Sequence, residues 1–191
     1  MKKEFEMSMV EELTFFLGLQ VKQKKKDIFV SQEKYARNIV KKFGLDSKNL
    51  ASTPMSLSTK LNVDSSRVEV SPTLYRSIIG SLLYLIANRP DIAFSVGVCA
   101  RYQVAPKESY LTAMKRIIRY INGTPNYGLW YSKDSNACLA SYSDAYWAGR
   151  VDDRKSTSGG CFYLGNNLVS WMSKKQNSVS LSTAEVEYIA A

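Results

Sequence analysis

Histidine does not occur in this 191-residue chain, which excludes any catalytic triad built on imidazole and any zinc site of mixed Cys/His type. Cysteine is scarce. Cys99, Cys138 and Cys161 are odd in number and widely spaced, which fits reduced thiols in a cytosolic or nuclear setting rather than a disulfide framework. Long hydrophobic runs are missing too: the longest, around Ile78 to Ala87, is interrupted by Gly80, Ser81 and Tyr84 and is too short to cross a bilayer, so no membrane association is expected. At the amino terminus Lys2 and Lys3 are followed by Glu4, Glu6, Glu11 and Glu12 instead of the unbroken apolar core of a signal peptide, and secretion is not expected. What is present is 45% apolar and 23% charged residues, enough for one domain or two small ones. Acids are outnumbered, giving a net charge of +9. Residues 136–191 hold five basic and five acidic side chains, so the whole excess belongs to residues 1–135. A basic front half points to a polyanionic partner.

Residues 1–12 read as the end of a helix or a polar lead-in. Leu13 to Val21 reads as a strand that turns through Lys22–Asp27 and returns as Ile28-Phe29-Val30, a hairpin with Lys22, Lys24, Lys25 and Lys26 around its turn. Ser31 is positioned to cap a helix through Tyr35, Ile39, Val40 and Phe43 that Gly44 ends. Residues 50–72 are polar and aperiodic, a connector. Ser71-Pro72 then opens a helix with Leu74, Ile78, Leu82 and Leu85 at helical spacing, and a second follows from Asp91 to about Tyr102. A third, Lys107 to Asn122, carries an apolar arc of Leu111, Met114, Ile117, Ile118 and Ile121, with Lys115, Arg116 and Arg119 together on another face. Residues 123–136 form a hinge with one short strand, Leu129-Trp130-Tyr131. Three strands (137–143, 161–164 and 168–172) and a helix from 182 complete an α/β pattern. The segments are 1–49, 50–72, 73–135 and 136–191. The lysines and the helical cations read either as nucleic-acid contacts or as ordinary solvated charge.

Two acids stand out. Cys138, Ala140, Tyr142 and Asp144 share one side of a strand of period two, so Asp144 leaves the strand end on the face opposite Leu139. Ser182-Thr183-Ala184-Glu185 fits a capping box in which Glu185 returns to the serine N–H. Glu187 has no such local role, and lies one turn in on a stripe with Ala184 and Ala191 that would let the helix approach a sheet closely. A strand-end Asp facing a helical Glu can hold Mg²⁺, a hard cation that takes carboxylate and phosphate oxygens. A pair of such ions roughly 3.5–4 Å apart clamps an in-line phosphodiester displacement. Each acid on its own reads equally as a solvated or capping carboxylate.

Tyr142-Ser143-Asp144-Ala145, Trp147-Ala148-Gly149, Arg154-Lys155-Ser156-Thr157-Ser158-Gly159, Leu168-Val169-Ser170-Trp171, Ser173-Lys174-Lys175-Gln176 and Ser182-Thr183-Ala184-Glu185-Val186-Glu187-Tyr188 together resemble, in order and spacing, the ribonuclease H domain of copia-type retrotransposon polyproteins. The likeness extends upstream through Phe16-Leu17-Gly18, Ser52-Thr53-Pro54-Met55, Tyr75-Arg76-Ser77, Gly80-Ser81-Leu82-Leu83-Tyr84-Leu85 and Arg89-Pro90-Asp91-Ile92, covering nearly the whole chain. It implies a primer-grip-like hairpin, a thumb-like helical bundle and the first half of a ribonuclease H-like fold with a mixed sheet. The implied function is that of a reverse transcriptase/ribonuclease H fragment, with RNA-directed DNA synthesis and Mg²⁺-dependent cleavage of RNA in RNA–DNA hybrids as parent activities. The remainder of the polyprotein and nucleic acid would be its partners. By the same resemblance Asp144 and Glu187 are the first two acids of a four-carboxylate site whose other members fall beyond Ala191, and Arg154 and Lys155 join the nucleic-acid candidates. The chain alone is then expected to be inactive. A non-catalytic basic nucleic-acid-binding protein derived from such an element is the alternative.

The chain departs from the family pattern at Tyr146, where a second aspartate is usual, which points to a drifting copy. Val151-Asp152-Asp153 imitates the polymerase aspartate turn, but follows Arg150 rather than an aromatic residue and reads as a polar loop.

Overall fold

A computed structural model describes residues 13–46, 49–56, 61, 68–149 and 153–191. The reading of residues 1–12, and that of Val151 and Asp152, lie outside them.

The described residues begin with three strands, β1 (Phe15–Phe16), β2 (Leu19–Gln23) and β3 (Asp27–Ser31). The single strand expected over Leu13–Val21 is broken at Leu17-Gly18, both at positive φ (48° and 80°). Gly18 permits the tight two-residue turn that pairs Phe16 with Leu19. Helix α1 (Glu33–Lys42) starts after Gln32, not Ser31. Ser31 is held in the β3 ladder opposite Gln20 and Gly128, and the Gln20 side chain accepts from Lys34 N–H at 2.8 Å in the place of a serine cap. The helix ends as expected at Gly44 (φ 63°), with Leu45 N–H on the Val40 carbonyl and Gly44 N–H on Lys41, the doubly bonded left-handed stop.

Three further helices follow: α2 (Pro72–Ile86), α3 (Ala93–Ala100) after a 3-10 turn at Pro90–Ile92, and α4 (Glu108–Gly123). Ser71 caps α2, its hydroxyl accepting from Leu74 N–H. The apolar stripes converge as their periods require. Ala36, Ile39 and Val40 of α1 share one core with Ile78, Leu82 and Leu85 of α2, Val96 and Cys99 of α3, and Met114, Ile117, Ile118 and Ile121 of α4. Each large side chain removed from water there contributes about 1.5–3 kcal/mol. Arg89 is buried and pinned where α2 ends, donating to Asp91 and to the Thr124 carbonyl and hydroxyl.

Strand β4 (Gly128–Ser132) leaves the helices and pairs with β3, closing a four-stranded sheet in the order β1-β2-β3-β4. A Cβ at Gly128 would run into the Val30 carbonyl, so only glycine permits this approach. A second sheet holds β5 (Leu139–Tyr146), β6 (Thr157–Leu164) and β7 (Asn167–Lys175), followed by α5 (Thr183–Ala190). The three strands of this sheet are antiparallel, as expected of the chain's last segment, while the mixed sheet implied by the resemblance is corrected: every strand pair among the described residues is antiparallel. The links 147–156 and 165–166 are too short for the crossover that a parallel pair needs. Asn167 joins the two sheets, bonding both backbone groups of Ser132, while Trp171 Nε1 donates to the Ile86 carbonyl and Arg101 to Thr157 Oγ1. Among the described residues no helix is long and apolar enough to cross a membrane.

Candidate functional site

Asp144 lies within β5 rather than at its end, because the ladder continues through Ala145↔Ser158 to Tyr146↔Thr157. Helix α5 docks on this sheet beside it. Its N-terminus is capped as predicted, Glu185 N–H donating to Ser182 Oγ at 3.1 Å, but Glu185 Oε2 accepts from Leu181 N–H, one residue before the serine. The alanine stripe is not what docks the helix. Ala184 and Ala191 are exposed, and Val186, the larger apolar side chain, is buried against the sheet. Glu187 then follows directly on the docked residue.

The two acids meet on one backbone group. Ala145 N–H donates to Asp144 Oδ1 at 2.8 Å and to Glu187 Oε1 at 3.3 Å, so those oxygens are no further apart than the two bonds laid end to end. Both side chains are exposed, and the second oxygen of each has no hydrogen-bond partner among the described residues. Paired carboxylate oxygens with open lone pairs are the donor set that Mg²⁺ takes. No group of three or more His, Cys, Asp or Glu side chains that could hold a metal occurs among the described residues.

What positions Glu187 is Gln176, which the sequence showed only as the last residue of the Ser173-Lys174-Lys175-Gln176 motif and with no assigned role. Gln176 is buried at the end of β7. Its Nε2 donates to Ser158 Oγ (3.0 Å) and to the Val186 carbonyl (3.1 Å), and its Oε1 accepts from Ser180 Oγ (3.4 Å). Ser156, fully buried, ties Ala148 to the end of β7, its hydroxyl accepting from Ala148 N–H and its carbonyl from Gln176 N–H. A glutamine following two lysines carries no local signal of such a role. Asp153 pairs with Lys175, and Lys155 N–H donates to Asp153 Oδ1. Arg154 is exposed at positive φ (51°) beside them, and Lys155 is half-buried.

The basic candidates divide. Lys22, Lys24, Lys25 and Lys26 are all exposed at the β2–β3 turn. Lys22 faces Phe29, and Phe29 faces Trp130, so the three share one row across β2, β3 and β4. Lys24 Nζ sits 4.9 Å from the Trp130 ring, and Lys26 pairs with Asp134 at 2.8 Å. Trp130 and the neighbouring Lys133 were missed as partners of this turn, since only the β3–β4 pairing brings them there. On α4 the expected common cationic face splits: Lys115 is exposed, while Arg116 and Arg119 are half-buried against segment 49–56.

The second sheet leaves much apolar surface open. Leu181 is 88% exposed, Tyr188 85%, Leu139 72% and Tyr142 64%, and the outer edge of β5 has no partner strand among the described residues.

Residues 1–57 match the family model for reverse transcriptase (RNA-dependent DNA polymerase). The chain is 40% identical to the retrovirus-related Pol polyprotein from transposon RE1 of Arabidopsis thaliana over 98% of its own length, and 37% identical to that from transposon RE2 over the same share. It spans only 13% of the length of each. It is also 36% identical, over 97% of its length, to the uncharacterized mitochondrial protein AtMg00810 of the same plant, 77% of which it covers. No solved structure matches. The chain belongs to the family of copia-type retrotransposon Pol polyproteins, and its reverse transcriptase-like part is residues 1–57.

Proposed function

We propose that this chain handles nucleic acid within a Pol polyprotein whose activities are RNA-directed DNA synthesis and Mg²⁺-dependent cleavage of RNA in RNA–DNA hybrids. In this reading residues 1–49 form a primer grip, 50–72 a connector, 73–135 a thumb, and 136–191 the first half of a ribonuclease H domain. The observation that carries it is the Ala145 N–H shared by Asp144 and Glu187, which sets two hard-oxygen ligands side by side from a strand and a helix. Mg²⁺ held there would stabilise charge developing on phosphate oxygens. Asp144 and Glu187 would hold the ion, Gln176 would keep α5 and hence Glu187 in place, and Lys22, Lys24, Lys25, Lys26, Lys115, Arg154 and Lys155 would neutralise backbone phosphates. The remainder of the polyprotein would cover the exposed apolar face and the β5 edge.

Two protein carboxylates are few for an ion that demands near-octahedral oxygen coordination. Calorimetric titration is expected to show weak Mg²⁺ binding that Asp144→Asn or Glu187→Gln removes, and no hybrid cleavage by this chain alone. Tight binding untouched by either substitution would place the metal elsewhere. Robust cleavage lost on Asp144→Asn would show that the pair suffices.

A second reading, a non-catalytic basic nucleic-acid-binding protein, is favoured by Lys24 over the exposed Trp130, since cations around an aromatic surface suit single strands. Binding of a hybrid that is independent of both carboxylates and of Mg²⁺ would support it.

A further inference from the structure

Arg116 and Arg119, one helical turn apart on α4, line a cavity of about 540 Å³ between that helix and segment 49–56. The two guanidinium groups are used differently. Arg116 is pinned to the wall, Nε donating to the Thr53 carbonyl at 3.1 Å and Nη2 to Thr53 Oγ1 at 2.8 Å. Arg119 Nε is buried and has no hydrogen-bond partner among the described residues. Arg119 as a whole is half-buried, so it is this one N–H donor that is left unsatisfied, and an unsatisfied buried donor in a folded chain calls for an explanation. Among the described residues no carboxylate lines the cavity. Its remaining polar lining includes the hydroxyl residues Ser52, Ser109 and Thr112, and its apolar lining includes Leu50 and Met55.

Guanidinium forks match phosphate oxygens in shape and charge. Two guanidinium charges, with no acid among the described lining residues, match a dianion better than a monoanion, and a concave site lined on several sides admits the end of a molecule more readily than the middle of a strand. We propose that this cavity is a phosphomonoester site. It takes a terminal phosphate carried by a nucleoside, with Arg119 bonding the phosphate, Arg116 held by Thr53 as the second charge, and the sugar or base against Leu50 and Met55. The phosphate could arrive on a free mononucleotide or on the phosphorylated end of a nucleic-acid strand. The proposal does not rest on the carboxylate pair or on the ribonuclease H reading.

The test uses the purified 191-residue chain and three probes: a 5′-phosphorylated DNA dinucleotide, the same dinucleotide with a 5′-hydroxyl, and AMP. The phosphorylated dinucleotide is expected to bind at least tenfold more tightly than its hydroxyl counterpart. Arg119→Gln is expected to abolish that difference, and Lys41→Gln, which removes the same charge from an exposed site on α1, to change affinity no more than twofold. Binding of AMP on a par with the phosphorylated dinucleotide would identify the mononucleotide as sufficient, and binding of the dinucleotide alone would identify the strand end. Should Arg119→Gln fail to fold, the Nε–Hε resonance of Arg119 in the unaltered chain is to be followed, and it should move with the phosphorylated probe only. Equal affinity for the two dinucleotides, no binding of either, an unmoved Arg119 resonance, or equal losses in Arg119→Gln and Lys41→Gln would each overturn the assignment.

Discussion

Replacing Gln176 with methionine keeps the volume of the side chain while deleting its bonds to Ser158, Val186 and Ser180, so the substitution isolates hydrogen bonding from packing. Helix α5 has little else to hold it. It is eight residues long and buries one side chain, Val186, worth about 2 kcal/mol, while the Ser182 cap adds about 1 kcal/mol. Two good hydrogen bonds and one long one, with the unsatisfied groups they leave behind, amount to roughly 2–3 kcal/mol. That equals the rest of the docking energy, so α5 should detach locally while the helical core stays folded. The assay is amide hydrogen exchange at Glu187 to Ala190, where protection should fall roughly 30- to 150-fold, tenfold per 1.4 kcal/mol. Exchange in α2 and α4 should hardly change. Glu187 would lose its place on Ala145 N–H, and Mg²⁺ affinity should drop to that of Glu187→Gln. Exchange in α5 within twofold of the unaltered chain would refute the argument that Gln176 positions the second carboxylate.

Gly128→Ala should force β4 away from the Val30 carbonyl, at about 1–3 kcal/mol of stability, and separate Trp130 from Lys24; thermal melting and tryptophan fluorescence read both. Ser71→Ala should cost about 1 kcal/mol through loss of the α2 cap, measured by urea unfolding. Binding of single-stranded DNA should weaken with salt at a log–log slope of roughly −0.7 per phosphate neutralised, and Trp130→Ala should weaken it with the slope unchanged. Thiol titration should modify exposed Cys138 readily and Cys99 only on unfolding. Burial pushes the Cys99 thiol up from its ordinary 9.0 to about 12. The native state therefore keeps a proton that the unfolded chain releases, so this contribution to stability is complete below pH 9 and is lost as pH rises towards 12, which an alkaline melting series would detect.

The helices were legible because their signals are local. The periods of α2 and α4, the Ser71 and Ser182 caps and the Gly44 stop all act within a turn or two of chain, and the residues that carry them sit where the period places them except Leu74, which is 44% exposed while its neighbour Tyr75 is buried. Signals acting across the chain were not legible. Ser31 is a good capping residue by type, but the ladder to Gln20 and Gly128 claims it, and Gln20 caps α1 from the neighbouring strand. The strand at 129–131 was visible as a strand, but nothing near it says that it pairs with residues 27–31. That pairing is what turns a lysine-rich turn into a surface built around Trp130.

The same distinction separates the charged residues of α4. Lys115, Arg116 and Arg119 share a helical face by spacing, and spacing alone treats them as one cationic patch. Packing against segment 49–56 divides them, because a half-buried guanidinium can trade water for Thr53 while the Lys115 ammonium stays solvated. The carboxylates show the converse. Asp144 and Glu187 are far apart in sequence, and each alone reads as a solvated acid, so strand and helix placement suggested the pair and the family resemblance was needed to favour it. Their meeting on Ala145 N–H depends on Val186 filling the sheet face and Gln176 holding the Val186 carbonyl. The helix cap gets α5 started, but the side chain that determines where Glu187 points lies on another element, ten residues upstream of the carbonyl it holds.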